Sequence, residues 1–181
     1  MIFWFHVFYY WWICKIAITL INMKELILLR HGKAEPHENR EKDFDRQLIE
    51  KGASIIRSTA QQALKEWGTP DLIVSSPALR AKESAEVFAD EAGYLQEIML
   101  FEELYAADTG DIADVIRELP LNTTQVVLTG HNPSLEEFAF LLLKQEITLT
   151  TGACIHFTLN IGRWKDFSIT ITPHNQKLIG P

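Results

Sequence analysis

The chain has 181 residues, 47% of them hydrophobic and 23% charged, a length and composition that suit one globular domain with its own core. Its formal net charge is −7 and its pI is near 5.4, which argues against nucleic acid as a partner. HExxH and CxxC spacings are absent from the sequence, so neither a metal nor a cofactor is expected. Cys14 and Cys154 stand far apart with no histidine cluster beside them and read as buried thiols rather than a disulfide.

Met1 to Asn22 is almost wholly apolar, rich in Phe, Trp and Tyr, with one Lys (Lys15) and no acid. Its length is near the roughly 20 residues that span a bilayer. It lacks the basic start and small-residue cleavage site of a signal peptide. Met23 directly precedes the first strand pattern and is the natural start. The preferred expectation is therefore an upstream, non-native start. A membrane anchor is the second reading, and a helix lying on the domain the third. The domain itself is taken as 23–181, with 1–22 as an extension.

In chain order, Leu26-Ile27-Leu28-Leu29 reads as a buried strand that ends in Arg30-His31-Gly32. The segment 48–67 has Ile56, Ala60, Ala63, Leu64 and Trp67 at helical spacing and stops at Gly68-Thr69-Pro70. A second strand, Asp71 to Val74, ends in Ser75-Ser76-Pro77-Ala78-Leu79-Arg80. A helix over 77–92 follows, with Ser76 as its cap and Pro77 at its first position. A shorter helix is expected over 110–119. A third strand, Thr124 to Thr129, ends in Gly130-His131-Asn132-Pro133. The helix over 133–144 starts with a Ser134–Glu137 capping box or with Asn132 as cap. Ala153 to Thr172 reads as two strands. Strand and helix in alternation imply an α/β fold, a mostly parallel sheet with helices on both faces.

Three strand ends thus deliver two Arg and two His. In open α/β sheets ligands bind beyond the carboxyl ends of the strands. Arg30 and Arg80 can hold an anion with their planar forks. His31 and His131 can act as nucleophile or acid–base group near neutral pH. The sequence alone does not say which histidine attacks. Gly32 lets the backbone pass close to a bound group. Free N–H groups at the starts of the two following helices add to an anion site. The plainer alternatives are satisfied loop histidines and structural ion pairs. Lys33 and Arg46 read as solvated loop cations, while His6, His37, His156 and His174 are assigned no chemistry. Trp67 and Trp164 read as packing. Asn132 either reaches the pocket or caps its helix.

Together these motifs resemble the histidine phosphatase superfamily, and within it the short branch typified by SixA-type phosphohistidine phosphatases. The resemblance runs over 23–181. It is carried by Met23 to Ala34, Asp43-Phe44-Asp45-Arg46-Gln47-Leu48 with Lys51-Gly52, Ser75-Ser76-Pro77 with Arg80-Ala81, Gly130-His131-Asn132-Pro133, Thr151-Gly152-Ala153 and Trp164. It implies a phosphoglycerate-mutase-like three-layer sandwich. It also implies that His31 attacks phosphorus and becomes a transient phosphohistidine, while Arg30, Arg80 and His131, with Asn132 beside them, surround the phosphoryl oxygens. Glu103, in Glu102-Glu103-Leu104-Tyr105, stands where many members keep a general acid. Gln47 and Ile49 depart from the Pro and Thr usual in the branch.

The expected function is removal of phosphate from phosphohistidine in a signalling or phosphotransfer protein. The alternatives are a small-molecule phosphomonoesterase acting on a sugar or nucleotide phosphate, a non-catalytic phosphate-binding module and, least favoured, a phosphomutase. The expected partner is a phosphorylated protein or a small phosphate ester. The expected location is the cytoplasm, with a membrane involved only where residues 1–22 are genuine.

Overall fold

The computed structural model describes residues 23–36 and 43–181. The expectations for residues 1–22, with Cys14 and His6, and for His37 lie outside them. Strand β1 (Lys24–Arg30) carries the apolar run and occupies the middle of a six-stranded sheet of order β3-β2-β4-β1-β5-β6. Helix α1 (Glu50–Trp67) leads to β2 (Leu72–Ser75), α2 (Leu79–Ala92) and a two-residue β3 (Met99–Leu100). Then come α3 (Thr109–Glu118), β4 (Gln125–Gly130), α4 (Ser134–Leu143), β5 (Cys154–Leu159) and β6 (Asn175–Ile179).

Strands β1, β2, β3 and β4 pair parallel, while β5 and β6 extend the sheet antiparallel. Alternation along β1 explains the layers, because successive side chains leave opposite faces of a strand. Leu26 and Leu28 join a cluster with Ile112 and Ile116 of α3, Phe138 of α4 and Trp164. Ile27 and Leu29 join the opposite cluster with Ile56 of α1 and Phe88 of α2. The expected α/β sandwich with helices on both faces is the observed one. Each large side chain buried in these clusters contributes roughly 1.5–3 kcal/mol.

Several local expectations fail for identifiable reasons. Helix α2 starts at Leu79 after Ala78, so Ser76 is not its cap and Pro77 is not its first residue. Helix α4 follows Pro133 with no side-chain cap, and Ser134 Oγ instead donates to the His131 carbonyl. The capping box belongs to α3, where Asp108 accepts from the Gly110 and Asp111 amides and Asp111 accepts from Asp108 N. At the C-terminus, Phe167 to Thr172 form no strand, because Phe167, Ile169 and Ile171 pack on the α3/α4 side of the sheet. The second strand there is β6, a largely exposed edge without an apolar pattern to announce it. Strand β3 was equally silent. It is defined by pairing of Val74 with Met99 and Ser75 with Leu100. Among the described residues no helix is long and apolar enough to cross a membrane.

Candidate active site

Strand register gathers the site. Arg30 pairs with Gly130, and Thr129 with Ser75, so β1, β4 and β2 end side by side. The residues that follow each strand, His31, His131 and Ser76, therefore emerge on one edge of the sheet. Strand β5 runs antiparallel to β1, which brings the segment before it to the same edge. There Gly152 N donates to the carbonyls of Arg30 and His31. Leu149 O accepts from Arg30 Nη1 at 2.6 Å and from Asn132 Nδ2 at 3.1 Å. Asn132 is thus a brace rather than a helix cap.

Gly32 is required by the chain's own packing. A Cβ there would stand 2.7 Å from Leu48 Cδ1 and 2.9 Å from Gly52 O. The backbone at Gly32 thus passes close to the start of α1. Gly32 N donates to Ser84 Oγ at 2.9 Å, which ties the loop to α2.

His31 Nδ1 lies 2.7 Å from the Gly32 carbonyl, and a carbonyl can only accept. The ring proton therefore sits on Nδ1, which leaves Nε2 unprotonated, with its lone pair accepting from Arg80. Arg80 Nε approaches that nitrogen at 3.4 Å. The His31 and His131 rings are 5.0 Å apart, and His131 Nε2 meets Ser76 Oγ at 2.9 Å. Burial lowers the His31 pKa to about 4, with the charges of Arg80, Arg30 and Arg46 acting the same way against the Gly32 hydrogen bond. Burial, followed by His31, Arg80 and Arg30, lowers that of His131 to about 3, despite Asp43. Both rings are neutral at neutral pH. Arg30 Nε, His131 Nδ1 and Asn132 Oδ1 are buried without a hydrogen-bond partner among the described residues.

Sequence reasoning passed over two residues. Asp43 accepts from Arg80 Nη2 at 3.0 Å and from Arg46 Nη1 at 2.9 Å. Tyr105 OH donates to the same carboxylate at 3.3 Å, and its ring meets His131 edge-on with centroids 6.0 Å apart. Asp43 stands in the Asp43-Phe44-Asp45-Arg46 segment and Tyr105 two residues beyond Glu103, but only the fold brings them to Arg80. Arg46 is accordingly not a solvated loop cation, whereas Lys33 is exposed. Glu103 lies exposed on the turn Glu102–Leu104, and no hydrogen bond joins it to Arg30, His31, Arg80 or His131. The helix starts offer less than expected to an anion. Leu79 N is taken by Phe44 O and Leu135 N by His131 O, and Glu136 and Glu137 place negative charge in the first turn of α4. His156, far from this edge, stacks on Trp67 with centroids 4.7 Å apart and has Nε2 3.5 Å from Glu25.

A neutral imidazole with an unprotonated Nε2, flanked by two guanidinium groups and a second imidazole, suits attack on a tetrahedral anion. A family model described as histidine phosphatase superfamily (branch 1) matches residues 26–129, more than half of the chain. The chain belongs to the histidine phosphatase superfamily, and that membership supports phosphatase activity.

The fold is similar to that of a protein assigned as phosphohistidine phosphatase SixA from Nakamurella multipartitia, with TM-score 0.71, 19% identity, and coverage of 88% of this chain and 96% of that one. It is also similar to the protein histidine phosphatase SixA complexed with tungstate, with TM-score 0.70, 22% identity, and coverage of 84% and 95%. A mycobacterial glucosyl-3-phosphoglycerate phosphatase gives TM-score 0.62, 17% identity, and coverage of 87% and 97%. No curated protein sequence matches the chain.

Proposed function

We propose that this protein hydrolyses phosphohistidine on a partner protein by way of a phosphorylated His31. The observation that carries the reading is the Nδ1–Gly32 bond, which presents Nε2 of a neutral ring beside Arg80. In the first step the Nε2 lone pair forms a bond to phosphorus. The bond from phosphorus to the leaving nitrogen breaks, and its electron pair stays on the substrate imidazole, which takes a proton from water. In the second step water attacks the phosphoryl group, releases phosphate and returns His31 to its neutral form. Arg30, Arg80 and His131 face the phosphoryl oxygens and stabilise the charge spread over them. When Ser76 donates to Nε2 of His131, the ring proton rests on Nδ1, the state in which that nitrogen donates to a phosphoryl oxygen.

Two features favour an imidazole leaving group over an alkoxide. Asp43, the carboxylate hydrogen-bonded to Arg80, is held below its ordinary pKa by Arg46 and Arg80 against the opposing effect of burial, so it is no proton donor at neutral pH. Glu103, the candidate acid, is exposed. An imidazole departs with little help from an acid, whereas an alkoxide needs one. A phosphohistidine-bearing partner would place the protein in the cytoplasm, with residues 1–22 as a tether where they are retained.

The second reading, a small phosphate ester, draws on the likeness to the glucosyl-3-phosphoglycerate phosphatase. The two are separated by incubating the full-length protein with a phosphohistidine-bearing phosphotransfer domain and, in parallel, with an alkyl phosphate, using His31→Ala as control. Rapid release from phosphohistidine, abolished in His31→Ala, is expected. Turnover of the ester with none of the phosphoprotein would replace the first reading by the second. Inorganic phosphate binding without turnover of either would indicate a binding module.

A further inference from the structure

We infer that Asp43 is a positioning residue for the reaction at His31 and acts through Arg80, whose fork it grips from the side away from the nucleophile. The inference rests on the phosphatase reading above. All three guanidinium nitrogens of Arg80 are engaged. Nε faces His31 Nε2 at 3.4 Å, Nη1 donates to the Asp43 backbone carbonyl at 2.6 Å, and Nη2 donates to Asp43 Oδ2 at 3.0 Å. The guanidinium is planar, so holding both terminal nitrogens sets the direction of Nε. Each terminal nitrogen carries two N–H groups and spends one on Asp43, which leaves the other for a phosphoryl oxygen.

Among the described residues Asp43 and its neighbour Phe44 are fastened from three directions. Arg46 holds Oδ1 at 2.9 Å, Tyr105 OH donates to Oδ2 at 3.3 Å, and the neighbouring Phe44 carbonyl accepts Leu79 N at 3.0 Å at the start of the helix that bears Arg80. The Phe44 and Tyr105 rings meet edge-to-face with centroids 5.0 Å apart, packing the loop that presents the carboxylate. Arg80 is only 6% exposed. A guanidinium so buried needs an anionic partner, and Asp43 supplies it. The opposite consequence of the same contact would be competition, in which the carboxylate blocks phosphate from Arg80. The two differ in sign when Asp43 is removed.

The test uses the full-length chain as wild type, Asp43→Ala, Asp43→Asn, Arg80→Ala and the Asp43→Ala/Arg80→Ala double variant, on the phosphohistidine domain and on p-nitrophenyl phosphate. Asp43→Ala is expected to lower kcat about 10- to 100-fold with KM changed less than about 3-fold, because the charge of Arg80 and its bond to the residue-43 backbone carbonyl remain while the side-chain grip that completes its alignment is lost. Asp43→Asn keeps an accepting oxygen and should fall between the two; it also serves where Asp43→Ala fails to fold. In the Arg80→Ala background, removing Asp43 should cost less than about 2-fold. Unchanged kcat, a rise in kcat with tighter inhibition by inorganic phosphate, or the full loss repeated without Arg80 would each overturn the inference. A readout independent of turnover is the ¹⁵N signal of the Arg80 Nε–H group. It should exchange slowly in wild type and broaden away in Asp43→Ala and Asp43→Asn, and its persistence in both variants would also overturn the role. Should the wild type release phosphate from neither substrate, the phosphatase reading fails, and this signal still decides whether Asp43 orients Arg80.

Discussion

Ser76 Oγ lies 2.9 Å from His131 Nε2 and so couples the end of β2 to the end of β4. The hydrogen bond holds the ring that faces His31. Removing it in Ser76→Ala should lower kcat/KM about 10-fold, which corresponds to about 1.4 kcal/mol of transition-state stabilisation. Steady-state kinetics on the phosphohistidine domain would check this, and wild-type activity in Ser76→Ala would show that the bond does not orient the ring.

The pH dependence has a definite sign. Burial first, then the neighbouring Arg charges, lower His31 to about 4 from 6.5, and burial with His31 lowers His131 to about 3. A histidine depressed in the folded state contributes full stability above its unfolded pKa and loses it as pH falls through the folded value. Urea midpoints should therefore drop as pH is lowered from 6.5 toward 4 and below. The acid limb of kcat/KM should likewise lie near pH 4, where His31 gains its proton, rather than near 6.5. A limb centred on 6.5 would mean that the nucleophile is not the buried neutral ring described here.

Packing at the Arg30-His31-Gly32 loop sets a steric prediction. A Cβ on Gly52 would lie 2.2 Å from Lys33 O, backbone against backbone. Gly52→Ala should destabilise the protein by about 1–3 kcal/mol through overpacking. It should also lower activity, because the displaced loop bears His31. Unchanged stability and activity in Gly52→Ala would discount the packing argument.

The cap of α3 offers a change remote from the chemistry. Asp108 accepts from Gly110 N at 2.6 Å and Asp111 N at 3.0 Å. Asp108→Ala should cost about 1 kcal/mol by denaturant titration and leave kcat within about 2-fold. A larger kinetic effect would tie α3 to the site.

Glu103→Gln distinguishes the two substrate classes. The exposed carboxylate should be dispensable on phosphohistidine, with a rate within about 2-fold of wild type. A loss of about 100-fold on an alkyl phosphate would instead fit the ester reading, because that leaving group needs a proton.

Much of the architecture was legible without coordinates. The apolar runs at Leu26–Leu29, Leu72–Val74 and Val126–Leu128 are central strands, buried on both faces, and they end where the sequence places Arg30, Ser76 and His131. The helix periods of α1 to α4 were equally plain. Composition and spacing carry such information because burial on one or two faces is a property of a short stretch of chain. Strands β3 and β6 were not legible, since exposed edges have no apolar signature and exist only by pairing. The caps at Ser76 and Ser134 were misread because each hydroxyl has another use, Ser76 with His131 and Ser134 with the His131 carbonyl.

The alternation of strand and helix, and the delivery of two Arg and two His to strand ends, follow from local residue order. Which nitrogen of His31 carries the proton, that Asp43 holds Arg80 from 37 residues away, and that Tyr105 reaches the same carboxylate from 62 follow from the assembled fold. The difference is one of range. Hydrophobic periodicity is written into neighbouring residues, whereas a hydrogen bond a few ångströms long between distant segments depends on the register of β1, β2 and β4 and on the packing of α2 beside them.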